Sequence, residues 1–317
     1  MVWIIFGLLG LAGIGLWVHH VFEGERLIVD IWREWRLSRH PLKEWDARWQ
    51  ARAKKSDIIV SMTTIPSRIG MMDTALKSLL DQTLPPSQIF INVPLYSKRE
   101  DCAYEVPPYL ENLAGVTIRR CEDWGPATKL IPTLTEVAPD QAILVADDDR
   151  IYPRDLVETY ERQLAKTPDV ALTMAGWDVP DDLVDRPTTI WSNLMMLAPA
   201  PIRGSRLRTP REIDIIQGVM SYVMRPRFFD LHDMTDFQDT PRAGFLADDV
   251  RTSALCQVPK HVVPTKGLSF LPKRNYAEFK RTALANLNRG TGALEDRNNT
   301  IAIRHYASRW KCTSSDK

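Results

Sequence analysis

A short apolar run that ends in three consecutive carboxylates is the feature that most constrains the fold of this 317-residue chain. Ile143–Ala146 has the length and the continuous apolar character of a β-strand buried on both faces. Asp147, Asp148 and Asp149 follow it directly. Ligands of open α/β sheets bind where such strands end. The run therefore predicts a central strand of an α/β domain with a ligand site at its carboxyl end.

The three adjacent carboxylates admit two interpretations. They repel one another unless positive charge lies among them, and a divalent cation would supply it while keeping coordination sites for substrate phosphates. The alternative is a solvated acidic turn that caps a helix starting near Pro153.

Strand and helix patterns alternate around this run. Helical patterns extend through Met71–Leu80 and from Ala127 onward. The predicted strands are Asp57–Met62, Gln88–Val93, Val116–Arg119, Ile143–Ala146, Val170–Met174 and Ile213–Ile216. Such alternation predicts a parallel, doubly wound sheet whose strands end on one edge. The polar, proline-bearing stretch 178–211 is interpreted as a long functional loop, and 273–317 as a flexible segment and tail.

The composition narrows the functional class. An apolar content of 44% and a charged content of 26% are typical of a globular protein. The net charge of +1 lacks the basic excess of nucleic-acid-binding proteins, so no nucleic-acid partner is expected. The cysteines have no CxxC or metal-ligand spacing and are interpreted as free thiols, with a Cys102–Cys121 disulfide as the alternative in an oxidising compartment. They are Cys102, Cys121, Cys256 and Cys312.

The N-terminus predicts a single membrane anchor. Residues 1–22 contain no Asp, Glu, Lys or Arg. A helix of this length, at about 1.5 Å per residue, spans the roughly 30 Å hydrocarbon core of a bilayer. Trp3 and Trp17 lie near its two ends, where interfacial aromatic residues belong. A signal peptide and a buried core helix are the alternatives, although neither a basic n-region nor a small-residue cleavage site is evident.

The segment 23–55 is basic and rich in tryptophan. Because its Lys and Arg residues follow the apolar run and none precedes it, the positive-inside rule places the rest of the chain in the cytoplasm. A lumenal type II orientation is the alternative. Ile28, Ile31, Trp32 and Trp35 recur at helical spacing. They predict a helix that lies on an anionic leaflet or, alternatively, one that packs on the following domain.

Three motifs together resemble the nucleotide-sugar-binding half of glycosyltransferases with the GT-A fold, particularly the family-2-like group. They are the first strand with its Pro- and Arg-containing loop, Cys121–Leu130 (CEDWGPATKL), and Ala146–Asp149. The resemblance is most specific over the last two. It implies a nucleotide-diphospho-sugar transferase domain, with a Rossmann-like mixed sheet, over about residues 56–272.

The resemblance implies contacts to the nucleotide for several residues. Ser61, Thr63 and Arg68 would lie against the nucleotide, and Asp123 would accept hydrogen bonds from the base or ribose. The second strand departs from the family pattern, because Asn92 stands where many members carry an acidic residue for the base.

The resemblance also implies a metal site. Asp147 and Asp149 match the Asp-x-Asp element that meets the ribose and a metal, Mn²⁺ or Mg²⁺, with Asp148 between them. Lys129 would add positive charge near the diphosphate, the alternative being a surface lysine. His305 would be a third metal ligand, the alternative being a structural histidine.

A second acidic pair, Asp248 and Asp249, resembles the late motif that provides the catalytic base in inverting GT-A enzymes. Asp249 is the preferred base, because an inverting transfer needs a carboxylate to take the acceptor proton. The alternative is that the pair caps the helix that follows. Gln217 and Gly218 would line the acceptor side.

Aromatic side chains add a further expectation for the acceptor. Trp177 and Trp191 would stack on sugar rings, the alternative being core packing. Together these motifs predict a membrane-anchored, metal-dependent glycosyltransferase of polysaccharide biosynthesis, which moves a sugar from a nucleotide-sugar donor, a UDP-sugar above all, to a glycan or lipid-linked acceptor. A nucleotidyltransferase and a non-catalytic, membrane-tethered nucleotide- or glycan-binding protein are the alternatives.

Overall fold

The centre of the protein, described over residues 2–310 in a computed structural model, is a mixed β-sheet. Its strand order is β10-β13-β7-β12-β6-β1-β2-β5; β11-β8-β9 form a smaller sheet, and β3 and β4 pair as a ribbon. The strands are β1 Ile59–Thr63, β2 Gln88–Pro94, β3 Tyr96–Ser97, β4 Cys102–Ala103, β5 Val116–Cys121, β6 Ile143–Ala146, β7 Ala171–Thr173, β8 Ala175–Trp177, β9 Ile202–Arg203, β10 Arg211–Ile213, β11 Ile215–Ile216, β12 Tyr222–Met224 and β13 Lys260–Val262.

The helices lie on both faces of the main sheet and at its ends. They are α1 Val2–Glu23, α2 Leu27–Ser38, α3 Leu42–Gln50, α4 Asp73–Leu80, α5 Pro108–Glu111, α6 Ile131–Glu136, α7 Leu156–Leu164, α8 Ile190–Met195, α9 Leu231–Thr235, α10 Arg242–Leu246, α11 Asp248–Leu255, α12 Tyr276–Arg281, α13 Ala285–Asn288 and α14 Asn298–His305. The predicted mixed α/β fold class is confirmed.

The parallel half of the sheet follows the sequence prediction. β1 pairs in parallel with both β2 and β6, and β2 pairs in parallel with β5. The other half differs, because β12 lies antiparallel between β6 and β7. The parallel pairing predicted from the alternating pattern is therefore confirmed for one half of the sheet and wrong for β12, since a three-residue strand is too short to leave a periodic signal.

The continuous apolar character of β6 reflects burial on both faces. Leu144 and Ala146 pack into the hydrophobic cluster on one side of the sheet, which includes Val60 and Leu76. Ile143 and Val145 pack into the cluster on the other side. Because neither face of β6 meets water, packing on both faces fixes this strand and the position of the aspartates that follow it.

Segments predicted as loop, linker or tail contain helices that pack on the domain. α2 and α3 belong to the main core through buried residues such as Trp45 and Trp49. The stretch 178–211 includes α8 and β9, and residues 276–305 form α12, α13 and α14. The run Ile301–Ile303 lies within α14, and Ala302 and Ile303 pack in one hydrophobic cluster with Trp310.

The N-terminal helix α1 is long and apolar enough to cross a membrane, by length and composition alone. Its side chains are mostly exposed, which disfavours the buried-core alternative, whereas a signal sequence would pass the same test. Cys102, Cys121 and Cys256 are free thiols, so the alternative Cys102–Cys121 disulfide is not formed. Met1 and residues 311–317, including Cys312, lie outside the described residues.

Candidate active site

The end of β6 opens into a cavity of about 1370 Å³. The parallel strands β1 and β6 and the connections after β5, β11 and α10 bring residues from distant parts of the chain to it. The predicted site residues that line it are Thr63, Arg68, Asp123, Lys129, Asp147, Asp148, Asp149, Trp177, Gln217, Asp248 and Asp249. The two acidic motifs, a hundred residues apart in sequence, therefore face one space.

Lys129 is the link between the two acidic motifs. Its Nζ lies 3.1 Å from Oδ1 of Asp147 and 3.1 Å from Oδ2 of Asp248, with Oδ1 of Asp249 at 3.9 Å. Burial would lower the pKa of this lysine, but the three carboxylates raise it well above its usual value. Lys129 is therefore a buried cation, and the alternative of a surface lysine is wrong.

The 3₁₀ helix Gly125–Lys129 delivers this lysine to the cavity. Gly125 has a φ of +60°, and a Cβ there would lie 2.5 Å from Cε1 of Phe245. Only glycine tolerates both the left-handed backbone conformation and the close approach of the Phe245 ring. The Gly-Pro turn of the sequence motif thus fixes where the Lys129 side chain begins.

Arg68 neutralises the other side of the aspartate triplet. Its Nη1 donates to Oδ1 of Asp148 at 3.1 Å and to Oδ2 of Asp149 at 3.0 Å. The hydroxyl of Thr64 donates to the second oxygen of Asp148 at 2.5 Å. Asp148 is buried, and α7 begins only at Leu156. The triplet is therefore an ion-paired cluster, and the alternative of a solvated helix-capping turn is wrong.

Asp248 and Asp249 occupy the first turn of α11. Neither is the N-cap residue, because that position is Ala247, which makes no side-chain cap bond. Oδ2 of Asp249 instead accepts the backbone N–H of Gly218 at 2.8 Å. Asp248 is the more buried of the two, and Asp249 is the more exposed to the cavity.

Gly218 is required where it stands because the carboxylate of Asp249 lies against it. A Cβ at this position would be 2.3 Å from Oδ1 of Asp249 and 2.9 Å from Nζ of Lys129. We predict that Gly218→Ala displaces Asp249 and lowers any activity of the site on the order of 10²-fold, as misplacement by about 1 Å can do. Gly70→Ala is the matched control, since nothing lies within 4 Å of the added carbon; equal activity of the two variants would contradict the prediction.

Two carboxyl groups in the cavity have strongly raised pKa values. Burial, then repulsion from Asp248, raises the pKa of Asp249 to about 7, against the attraction of Lys129. Burial, then repulsion from Asp148 and Asp147, raises the pKa of Asp149 to about 6. Groups whose pKa lies near neutrality can exchange protons at physiological pH, which is what acid–base catalysis requires.

Of the residues expected at the nucleotide, Thr63, Arg68 and Asp123 line the cavity, whereas Ser61 is fully buried and does not line it. Oδ2 of Asp123 accepts the N–H of Lys98 at 2.6 Å, and Oδ1 accepts that of Gly125 at 2.7 Å. The Thr63 hydroxyl donates to the Asn92 carbonyl at 2.7 Å. The buried amide of Asn92 donates to the Thr128 carbonyl at 3.0 Å, and the Ser61 hydroxyl donates to the Lys129 carbonyl at 2.6 Å. Asn92 and Ser61 therefore hold the turn that ends in Lys129.

Two further residues expected at the site lie at the surface, outside the cavity lining. His305 is exposed at the end of α14, where its ring meets that of Tyr306 with centroids 4.6 Å apart. Trp191 is exposed on α8. Neither lines the cavity, whereas Trp177 and Gln217 do.

The structure adds site residues that sequence motifs did not single out. Tyr104 lines the cavity and its hydroxyl donates to the Thr64 carbonyl at 2.9 Å. The C-terminal segment supplies Leu284 and Asn298 to the lining. It is joined to the aspartate triplet through Arg68, whose Nε donates to the hydroxyl of Thr282 at 2.7 Å. These residues follow no recognisable motif, so only the tertiary fold reveals them.

Several solved structures are similar to this chain. TarS of S. aureus (residues 1–349) is 11% identical with a TM-score of 0.43, over 81% of this chain and 73% of that one. A mannosyltransferase of Pyrobaculum calidifontis, solved with GDP-Man and Mn²⁺, is 17% identical with a TM-score of 0.42, over 95% and 84%. The 2-C-methyl-D-erythritol 4-phosphate cytidylyltransferase of Francisella tularensis is 11% identical with a TM-score of 0.41, over 71% and 99%.

Glycosyltransferases are thus among the structures that the chain resembles, as the sequence predicts. No protein-family model matches the chain, and no curated protein sequence matches it either.

Proposed function

We propose that this protein is a membrane-anchored glycosyltransferase that transfers a sugar, with inversion, from a nucleotide-sugar donor to a hydroxyl of a glycan or lipid-linked acceptor. The observation that carries the proposal is the meeting of two acidic motifs in one cavity, with Lys129 between them. One motif lies at the end of β6, where the donor would bind. The other presents a carboxylate of nearly neutral pKa to the same space.

The charge of the two acidic motifs supports a divalent cation, Mn²⁺ or Mg²⁺. The motifs contribute five carboxylates, and the cations ion-paired to them are Arg68 and Lys129. Formally, the motif carboxylates therefore outnumber the cations that are paired to them. No group of three acidic, histidine or cysteine side chains within residues 2–310 is already arranged around an ion position. Binding would therefore draw Asp147 and Asp149 away from their present partners.

Asp147 and Asp149 would hold the ion, because both line the cavity and each is partly exposed. When bound, such an ion supplies charge neutralisation to a diphosphate leaving group. Thr63 and Asp123 would contact the nucleotide at the neighbouring strand ends. Lys129 and Arg68 would remain as fixed positive charges beside it.

Asp249 would act as the general base. Its carboxylate would take the proton from the acceptor hydroxyl as that oxygen attacks the anomeric carbon and the nucleoside diphosphate departs. The Gly218 N–H holds one carboxylate oxygen at 2.8 Å and so orients the group. Trp177 and Gln217, on the same side of the cavity, would position the acceptor.

The raised pKa of Asp249 makes a prediction about pH. Only the ionised carboxylate accepts a proton, so kcat/KM should fall as pH drops below about 7. Saturating Mn²⁺ throughout separates this effect from competition between metal and protons at Asp149, whose pKa is about 6. A flat profile down to pH 5 would contradict the role of Asp249.

Product analysis tests the proposed reaction. The full-length protein would be incubated with a nucleotide sugar, Mn²⁺ and membrane lipid extract, and the released nucleotide identified. UDP-sugars and GDP-mannose are the first donors to try. Release of the nucleoside diphosphate with sugar on an acceptor supports a glycosyltransferase. Release of pyrophosphate from a nucleoside triphosphate and sugar phosphate would show a nucleotidyltransferase, and metal-dependent binding without turnover a non-catalytic protein.

The proposed membrane placement rests on α1 and the charges after it. Residues 3–23 form an exposed helix of sufficient length and apolarity, and the basic segment 23–55 would lie on the cytoplasmic side. Nucleotide sugars made in the cytoplasm would then reach the cavity, while the anchor raises the effective concentration of membrane-bound acceptors.

A further inference from the structure

Helix α8 has its apolar face turned outward. Trp191 is 64% exposed and Ile190 is 77% exposed, and Leu194 and Met195 are exposed as well. The side chain that the helix buries is that of Ser192, which is 8% exposed. A helix at a protein–water surface normally does the reverse.

The exposed face of α8 belongs to a well-built element. A capping box between Thr189 and Ser192 closes its N-terminus. At the other end, Arg206 donates to the carbonyls of Asn193 at 2.8 Å and Leu194 at 2.6 Å, and Arg203 donates to the Asn193 side chain at 3.0 Å. The fold therefore holds these apolar side chains outward in a fixed orientation.

Helix α2 also turns apolar side chains outward. Its exposed side chains include Ile28, Ile31, Trp32 and Trp35, whereas Arg33 is 5% exposed. Arg33 lies in the domain, donating to Asp81 at 3.0 Å and, through Nε, to the Tyr152 carbonyl at 2.8 Å. Arg33 and the fully buried Leu37 thus fix α2 to the protein, while these four apolar side chains stay exposed.

Helices α2 and α8 both lie near the point where α1 leaves the domain. α1 contacts both α2 and α8. The junction at Gly24 is fixed, because its carbonyl accepts the N–H of Leu268 at 3.0 Å and a Cβ there would lie 3.1 Å from the hydroxyl of Ser205, beside the arginines that hold α8. The exposed apolar surfaces of α1, α2 and α8 are therefore parts of one region of the protein.

A lipid surface is the occupant that this region fits. It is continuous with a helix long enough to cross a bilayer, and tryptophan is a residue of the membrane–water interface. Arg39 lies over the ring of Trp35 at 5.1 Å, which places an exposed cation beside the apolar face, where anionic headgroups would meet it. Of the described residues that line the cavity, none belongs to α8, so a sugar bound there would not cover it.

We propose that α8 is a third membrane-seated element, which enters the bilayer interface together with α2 and so docks the domain on the membrane that α1 crosses. This placement depends on α1 being in the bilayer and not on the transfer reaction. An enzyme seated at three points keeps one fixed orientation to its membrane, whereas a domain held by α1 alone would rotate freely about it.

Quenching by brominated lipid tests the proposal on the full-length protein. Wild type, Trp191→Phe, Trp17→Phe and Trp177→Phe would be reconstituted in vesicles of phosphatidylcholine and phosphatidylglycerol, with and without bromine on the acyl chains. The emission lost on bromination is the quantity compared. Trp191 is exposed, so its replacement leaves the core intact. Trp17 reports on α1, and Trp177, in the cavity, is the matched control for α8.

We expect the quenchable emission to fall in Trp191→Phe and in Trp17→Phe and to stay at the wild-type value in Trp177→Phe. A fall in Trp17→Phe alone would keep α1 as an anchor and overturn the docking of α8. No fall in either variant would overturn the membrane placement as a whole, without bearing on the transferase chemistry. If Trp191 faced a protein partner or water and not lipid, its emission would not be quenched, and the docking of α8 would be overturned.

Discussion

Asp249→Asn should lower kcat by about 10²–10⁴-fold, the usual contribution of a general base, while donor binding stays near that of the wild type. The amide has the size of the carboxylate but cannot accept the acceptor's proton. One oxygen still accepts the Gly218 N–H, which the wild type holds at 2.8 Å, so the geometry of the site is kept. The measurement is sugar transfer together with nucleotide affinity in the same preparation.

Asp239→Asn is the matched control for this substitution, since Asp239 is exposed outside the cavity. Its activity should equal that of the wild type. Turnover of Asp249→Asn at a wild-type rate, from a protein that binds donor normally, would exclude Asp249 as the base. Asp248, which contacts Lys129 and is less exposed, would then be the carboxylate to examine.

Lys129→Met should destabilise the protein by about 3–5 kcal/mol, the usual cost of removing one partner from a buried ion pair. Asp147 and Asp248, each 3.1 Å from the lysine, would lose that partner, and Asp249 at 3.9 Å would lose its attraction. Methionine fills much of the lysine's volume, so the effect measures charge more than packing. Chemical denaturation gives the difference in free energy of unfolding.

The sign of the pH dependence separates charge from packing in this variant. Without Lys129, the pKa values of Asp248 and Asp249 rise further above those of the unfolded chain, so the folded state binds more protons. The loss of unfolding free energy in Lys129→Met should therefore shrink as pH falls and grow as pH rises.

Lys77→Met is the control for Lys129→Met. Lys77 is also buried, but it pairs with a single carboxylate, Asp73, at 2.7 Å, which is partly exposed. A similar, pH-independent loss in both variants would contradict the claim that Lys129 neutralises an acidic cluster.

The central part of the fold could be predicted because its signals are local. Ile143–Ala146 is continuously apolar since alternate side chains enter cores on opposite faces of the sheet. The position of this strand between β1 and β12 could not be predicted from such a local signal. β12 is Tyr222–Met224, and three residues are too few for a period to show, so its antiparallel insertion depends on tertiary packing.

The candidate site, too, could be predicted from the sequence only where its signals are local. The aspartates of both motifs, Asp123 and Lys129 are marked by residue type and spacing, and they do line one cavity. The ion pairs among them could not be predicted, because partners such as Lys129 and Asp248 lie 119 positions apart in the sequence. His305 was expected at the site because a late histidine fits a metal, but α14 leaves it exposed. Trp191 was likewise expected at the site, but no residue of α8 lines the cavity.

Nucleotide binding to the full-length protein tests the central claim most directly. UDP, GDP and the other nucleoside diphosphates would be added with and without Mn²⁺ in a thermal-shift measurement on wild type and Asp149→Asn. A ligand at about 100 times its Kd stabilises the folded state by roughly 2.7 kcal/mol. A shift in the wild type that requires both Mn²⁺ and one particular nucleotide, and that is lost in Asp149→Asn, is the predicted result. A folded protein that no nucleoside diphosphate stabilises, with or without metal, would contradict a donor site at the end of β6.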